Sequence, residues 1–378
     1  MIRRWAILLS LVLVMTLHVA GGCGLHIVHS PPRPDPLSAQ IDAYLRALSD
    51  AGAFSGAVLV ARDGEPILSQ GYGMASIEYG VPNTAETRFR ISSLTKAFTA
   101  MAVLQLQAAG HLRLSDPICS YLDDCLDQWR TITLHHLLTH TSGIPDYVAV
   151  PGFWATSARQ HLALNELVAL FDAAPLRSTP GECFAYSNSN YVLLAHMVAQ
   201  VSDPAAPPDE AFAAYLQRNL FVPLGMQDTG VEVCREIVPD MAAGYSTLSA
   251  RASYCDPGPL FGMGDVYSTV DDLWRWEQAL TGVGPFPAPL LSSMFHPYTY
   301  SAPIDASYGY GWYMRRCDGL MHYWHSGSTP GYRSYMLRVP EAGYTLIILS
   351  NLETTPLFDM ADTISALVLA DDHARTVF

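Results

Sequence analysis

Apolar residues at Ile41, Tyr44, Leu45 and Leu48 keep helical spacing from Leu37, and Gly52 closes the segment, so an N-terminal helix is predicted. The period then shortens. Residues 55–61 and 66–71 flank Asp63-Gly64, a dipeptide suited to a two-residue turn, and predict a β-hairpin. A long helix follows over about 93–109, rich in Ala, Leu, Met and Gln and stopped by Gly110. From there to about residue 235 the pattern is one of helices and loops, with helical stretches at 117–122, 134–140, 162–173, 191–200 and 210–220. Ser268-Thr269-Val270-Asp271 makes a capping start to a helix that continues through Trp274 and Trp276 toward Leu280. Beyond Tyr308 aromatic and β-branched runs at 310–315, 320–324, 332–339 and 344–349 predict strands, and a helix over about 357–370 ends the pattern. Strands near both chain ends enclose a helical centre. The expected fold class is α/β: one antiparallel sheet built from both ends and flanked by helices, plus an all-α lobe. The α/β lobe takes about 37–110 and 240–378, and the helical lobe about 111–239.

The first residues change the picture of where such a body works. Arg3-Arg4, an apolar run from Trp5 to Leu17 and the small residues Ala20-Gly21-Gly22 read as a secretory signal over 1–22, with a run too short to span a membrane comfortably. Val19-Ala20-Gly21-Gly22-Cys23 resembles the lipobox of bacterial lipoproteins, although Ala20 stands where that pattern usually has Leu. Cys23 is therefore read as a lipidation site that anchors an exported protein to a membrane facing the periplasm or cell exterior. Ordinary cleavage to a secreted soluble protein is the alternative. Residues 23–36, with Pro31-Pro32-Arg33-Pro34-Asp35-Pro36, read as a proline-stiffened tether. Of seven cysteines, removing Cys23 leaves Cys119, Cys125, Cys183, Cys234, Cys255 and Cys317, an even number that can pair fully in an oxidising compartment. Cys119 with Cys125 is the easiest local pair. For Cys183 and Cys317 the competing reading is a buried thiol packed as a small apolar group.

The formal charge of −14 excludes nucleic acid as a partner, and losing residues 1–22, with two arginines and no acid, would take it to −16. Among 21 basic side chains Lys96 is the only lysine. Arginine keeps its proton in a protein, whereas a desolvated lysine can become a neutral amine and accept one. Lys96 follows Ser93 by three positions, on the same face of a helix, so a Ser-x-x-Lys pair of nucleophile and base is available. Phe184-Ala185-Tyr186-Ser187-Asn188 stands at a loop-to-helix boundary after Pro180-Gly181. There a phenol can relay a proton and an amide can bind a substrate carbonyl. The bland reading is an N-cap beside a packing tyrosine. Trp324-His325-Ser326-Gly327-Ser328-Thr329-Pro330-Gly331 ends a strand with small residues that admit a close backbone approach.

In this order the three segments resemble the penicillin-recognising serine hydrolases: class C β-lactamases, D,D-carboxypeptidases, D-aminopeptidases and related esterases. The resemblance runs from about Leu37 to the C-terminus and includes 134–143 and 267–273. It implies an α/β sandwich beside an all-α lobe, with Ser93 as nucleophile and Lys96 and Tyr186 sharing proton transfer. Asn188, His325, Gly327 and Ser328 would bind substrate, and the backbone N–H groups of Ser93 and Ser328 would form an oxyanion hole. It implies no cofactor. His-x-Gly at 325–327 departs from the Lys-Thr-Gly of β-lactamases. Histidine is largely neutral at pH 7, so carboxylate anchoring should be weaker and β-lactam turnover should rank below peptidase or esterase activity on a small peptide or ester. Arg333 reads first as a surface strand arginine and second as a carboxylate ligand.

Other chemistries fit less well. No Gly-x-Ser-x-Gly elbow occurs, and His135, His136 and His140 lack the Glu of a metal hydrolase helix, so no metal is expected. The competing function is a lipid-anchored penicillin- or peptide-binding protein with little turnover.

Overall fold

The structure, a computed structural model, describes residues 35–233 and 236–376. The signal-like segment 1–22, Cys23, the tether to Pro34 and Cys234 lie outside the described residues. Asp35 caps helix α1 (Pro36–Asp50): its carboxylate accepts the Leu37 N–H at 3.2 Å, and Pro36 occupies the first turn, where no N–H is needed. Pro36, read as the end of the tether, is thus the first residue of a helix. Leu37, Ile41 and Leu45 form its buried stripe.

Strands β1 (Gly56–Arg62) and β2 (Glu65–Tyr72) form the expected hairpin, closing with Arg62 opposite Glu65. Asp63 and Gly64 both take positive φ, 54° and 82°, the backbone of a turn whose twist matches that of the strands. Six later strands complete the sheet: β3 (Thr299–Ser301), β4 (Ala306–Tyr308), β5 (Tyr313–Cys317), β6 (Leu320–Thr329), β7 (Tyr332–Val339) and β8 (Tyr344–Ser350). The order is β3-β4-β5-β6-β7-β8-β1-β2, antiparallel throughout, so β1 lies inside the sheet with Gly56 opposite Ser350. Two predicted strand bounds move by three residues or more. β6 continues past residue 324 to Thr329. β5 begins only at Tyr313, because Gly311 (φ 80°) passes so close to the helix at Thr95–Ala108 that a Cβ there would stand 2.8 Å from the Ala97 Cα.

Alternation in β1 and β8 divides the core. Val58, Val60, Leu346 and Ile348 pack with α1 and helix α9 (Leu357–Thr376) on one face. Ala57, Leu59, Ile347 and Leu349 join a larger cluster on the other, with helix α2 (Thr95–Ala108) and the later helix at Val270–Ala279. That cluster runs on into the chain centre, where helices α3 (Leu134–Leu138), α4 (Leu164–Val168), α5 (Asn188–Ser202) and α6 (Pro208–Leu216) are joined by loops and single 3₁₀ turns. α2 and α5 bury nearly every side, as helices enclosed within a core do. Helices α7 (Val270–Ala279) and α8 (Ala288–Met294) precede the late strands. The helix expected over 162–173 shrinks to α4, and residues 117–122 form only a 3₁₀ turn at Ile118–Tyr121.

Cys119 and Cys125 form the expected local disulfide, with Cα atoms 5.2 Å apart. Full pairing of the six is not found: Cys183, Cys255 and Cys317 are free thiols. Nor are Cys183 and Cys317 buried, because the first lies in an exposed loop and the second ends β5 at a turn; Cys255 is the buried thiol. Among the described residues no helix is long and apolar enough to cross a membrane.

Candidate active site

Ser93 does not begin a regular α-helix as expected. It sits in a 3₁₀ turn, Ser92–Leu94, that leads into α2. The short strand Phe89–Arg90 delivers the chain there, and Ser92 then takes φ 50°, a left-handed conformation that costs a residue with a side chain roughly 1–2 kcal/mol. Contacts with the sheet hold the bend. The Ser92 hydroxyl lies 2.8 Å from that of Thr329 on β6, and the Ser334 hydroxyl of β7 donates to the Ile91 carbonyl at 2.6 Å. Gly327 belongs to the same contact. A Cβ there would stand 2.5 Å from the Ile91 carbonyl oxygen and 2.2 Å from Ser334 Oγ, so its missing side chain serves the seating of β6 on the Ser92–Leu94 turn.

Lys96, one turn into the helix, is fully buried. Its Nζ lies 3.1 Å from Ser93 Oγ, 2.8 Å from Asn188 Oδ1 and 2.9 Å from the Met263 carbonyl oxygen. Asn188 opens α5, and its Nδ2 donates to both Asp146 oxygens at 3.2 and 3.1 Å, which turns Oδ1 toward the amine. Burial brings the Lys96 pKa down to about 7, with the Asp146 and Asp265 charges acting the other way. The donor arithmetic matters here. A neutral amine has two N–H groups and one lone pair; the amide and carbonyl oxygens can only accept, so the lone pair is left for the Ser93 O–H.

The half-buried Tyr186 lines the same cavity as Ser93. Burial raises its pKa well above the usual phenol value. Its ring packs 4.3 Å, centroid to centroid, from that of His140. His325 on β6 is buried, with Nδ1 2.7 Å from the Ser326 carbonyl oxygen and Nε2 3.3 Å from the Tyr308 hydroxyl. Burial, then the Lys96 charge, lowers its pKa to about 3, so it is neutral well below the pH at which an ordinary histidine gains its proton. Ser328 is exposed at the strand end, where its Oγ accepts from Arg333 Nη1 at 2.6 Å.

Ser93, Tyr186, His325, Gly327 and Ser328 line one cavity of about 260 Å³, together with Trp324 and Phe358. Lys96 and Asn188 stand behind Ser93. The pairing of β5 with β6 ends at Trp324, so the backbone of residues 325–329 continues past its neighbour on that side. His135 and His136 are occupied elsewhere: Nδ1 of the first lies 2.9 Å from the Tyr310 hydroxyl, and Nδ1 of the second accepts the Thr133 N–H at 3.3 Å. Among the described residues no cluster of metal-ligating side chains occurs. Sequence reasoning did not single out Asp146, Met263 or Tyr308. Nothing local in the chain marks them, because each acts through a contact made by folding.

Residues 41–370 match the Beta-lactamase family. The putative penicillin-binding protein PbpX of Bacillus subtilis (strain 168) is 30% identical over 318 residues, covering 83% of this chain and 74% of that one. Penicillin-binding protein 4* of the same organism is 28% identical over 340 residues, covering 85% and 73%. Among solved structures, a penicillin binding protein from Bacillus halodurans superposes with a TM-score of 0.75 at 28% identity over 86% of this chain and 99% of that one. A D-stereospecific amidohydrolase from Streptomyces sp. gives 0.73 at 28% identity over 87% and 98%.

Proposed function

From the premise that this chain belongs to the β-lactamase family, whose fold is that of serine hydrolases, we propose that it is an exported hydrolase that forms an acyl-enzyme at Ser93. The observation that carries the reading is the buried Lys96 amine, its pKa brought to about 7, within 3.1 Å of the Ser93 hydroxyl. Neutral Lys96 takes the Ser93 proton as Oγ attacks the carbonyl carbon of an amide or ester. The tetrahedral oxyanion is held by the backbone N–H groups of Ser93 and Ser328; a donor of that kind is worth about 3 kcal/mol. Collapse breaks the bond to the leaving amine or alcohol, which takes its proton from Lys96 through Tyr186. Water then attacks the ester and returns Ser93.

Asn188, with Oδ1 and Nδ2 both engaged, and Asp146 orient the amine. The free side of residues 325–329 suits a short peptide lying alongside β6 as an added strand. A His325 that stays uncharged offers no cation to a carboxylate, which supports peptidase or esterase activity over β-lactam turnover. The name of the Streptomyces relative, an amidohydrolase acting on D-stereoisomers, points to D-amino-acid amides and peptides as the first substrates to try. The Cys119–Cys125 disulfide suits an oxidising compartment, and Cys23 is the proposed lipid anchor.

The test is covalent labelling by a fluorophosphonate and a fluorescent penicillin, followed by turnover of D-amino-acid amides, D,D-peptides and esters. Labelling should vanish in Ser93→Ala. An adduct that persists in that variant would refute the nucleophile, and stable labelling without turnover across the panel would favour a penicillin- or peptide-binding protein.

A further inference from the structure

Both chain neighbours of Tyr186 are tied to one residue. The Ala185 N–H donates to the His140 carbonyl at 2.8 Å, and the Ser187 N–H donates to His140 Nδ1 at 3.2 Å. The imidazole also lies against the phenol ring between them, 4.3 Å centroid to centroid and tilted by 35°. His140 is itself held from several sides. It is fully buried, and Asn190 Nδ2 of α5 lies 3.2 Å from the same Nδ1. Asn190 Oδ1 accepts the Ser142 hydroxyl at 2.6 Å, which turns the amide N–H groups toward the imidazole. Two donors on Nδ1 occupy the one lone pair of a neutral imidazole and put its proton on Nε2. His140 therefore has no lone pair left to act as a base. Its φ is 55°, a left-handed backbone that a residue with a side chain adopts at a cost, and such strain collects where geometry serves function. The phenol ring that it supports lies near the catalytic amine, with Lys96 Nζ 5.1 Å from the ring centre.

We propose that His140 is the positioning residue of Tyr186, fixing where the phenol stands beside Ser93 and Lys96 and hence how well it delivers a proton to the leaving group. This rests on the acyl-transfer reading above. An ethoxide must gain that proton as its bond to the acyl carbon breaks, whereas p-nitrophenolate departs as a stable anion without one. The measurement is the ratio of kcat/KM for ethyl butyrate to that for p-nitrophenyl butyrate in the full chain; a loss of folded enzyme lowers both and leaves the ratio alone. His140→Leu removes both the acceptor and the ring and should lower the ratio at least about tenfold. His140→Asn keeps an acceptor at the Nδ1 position and suits a left-handed backbone, so it should recover part of that loss. In a Tyr186→Phe background, which has no phenol hydroxyl to place, His140→Leu should lower the ratio no further. A wild-type ratio in His140→Leu would overturn the inference, as would a further fall of about tenfold in the Tyr186→Phe background. If Tyr186→Phe alone keeps the wild-type ratio, the proton relay itself fails and takes the inference with it; that failure needs no change at His140, which tells the two apart. Should His140→Leu not fold, His140→Asn decides: lacking the ring, it should stand about threefold below the wild-type ratio, and an unchanged ratio overturns the inference.

Discussion

In the proposed reaction Lys96 is the base, because three oxygen partners converge on one buried amine, and arginine cannot reproduce that state. Lys96→Arg should lower the acylation rate nearly as far as Lys96→Ala, since a guanidinium keeps its charge and gives no lone pair; near-normal stopped-flow labelling by the arginine variant would remove the base role. The same pKa fixes a pH dependence. Protonated Lys96 cannot accept a proton, so kcat/KM should fall as pH drops through about 7 and level off above it. His325 protonates only near pH 3 and cannot be the source of that limb. His325→Asn should therefore leave the limb where it is, even if the rate drops; a limb that moves or vanishes would make histidine the better base. Ser93, Lys96, Tyr186 and Asn188 were legible in the chain because each stands in a short motif with mechanical sense. Asp146 was not, since its role exists only once the loop before Tyr147 meets the start of α5 and its carboxylate fixes the Asn188 amide.

Elements whose pattern and punctuation agree were read well: the hairpin turned by Asp63-Gly64, the β7 run, and α1 with its stripe of Leu37, Ile41 and Leu45. The Ser92–Leu94 turn was misread as the start of a helix because composition there is helical, while the positive φ of Ser92 is imposed by hydrogen bonds from β6 and β7 far along the chain. Local sequence cannot report a constraint of that range. At the other end of α1, Asp35 was assigned to the tether, yet it caps the helix and its Oδ2 lies 3.1 Å from Arg62 Nη2. Asp35→Ala should cost about 1 kcal/mol of stability in urea titration, with activity kept. A soluble variant that starts at Leu37 should show the same loss, whereas no change in midpoint would show that the cap contributes nothing.

Across the molecule the sheet is tied to its helical layer by a buried ion pair, Arg338 of β7 with Glu277 of α7, at 3.0 Å. Both are about 5% exposed, and the guanidinium also donates to the Leu280 carbonyl and lies over the Phe295 ring. Glu277→Ala should lower stability by roughly 3–5 kcal/mol, because a buried charge loses its counterion. Changing both partners to Leu should recover much of the loss, and a mild effect of the single substitution would mean that water reaches the arginine. The α/β class was visible from strands at both chain ends, but not that β1 would lie between β2 and β8. That placement sets an order of assembly. Residues 56–72 emerge first, and their inner margin has no partner strand until Tyr344–Ser350 has emerged. At a synthesis rate of about 5–20 residues per second, this leaves a sticky margin uncovered for some tens of seconds. A ribosome-associated holdase or a translocation channel would find its grip on the nascent protein in that interval.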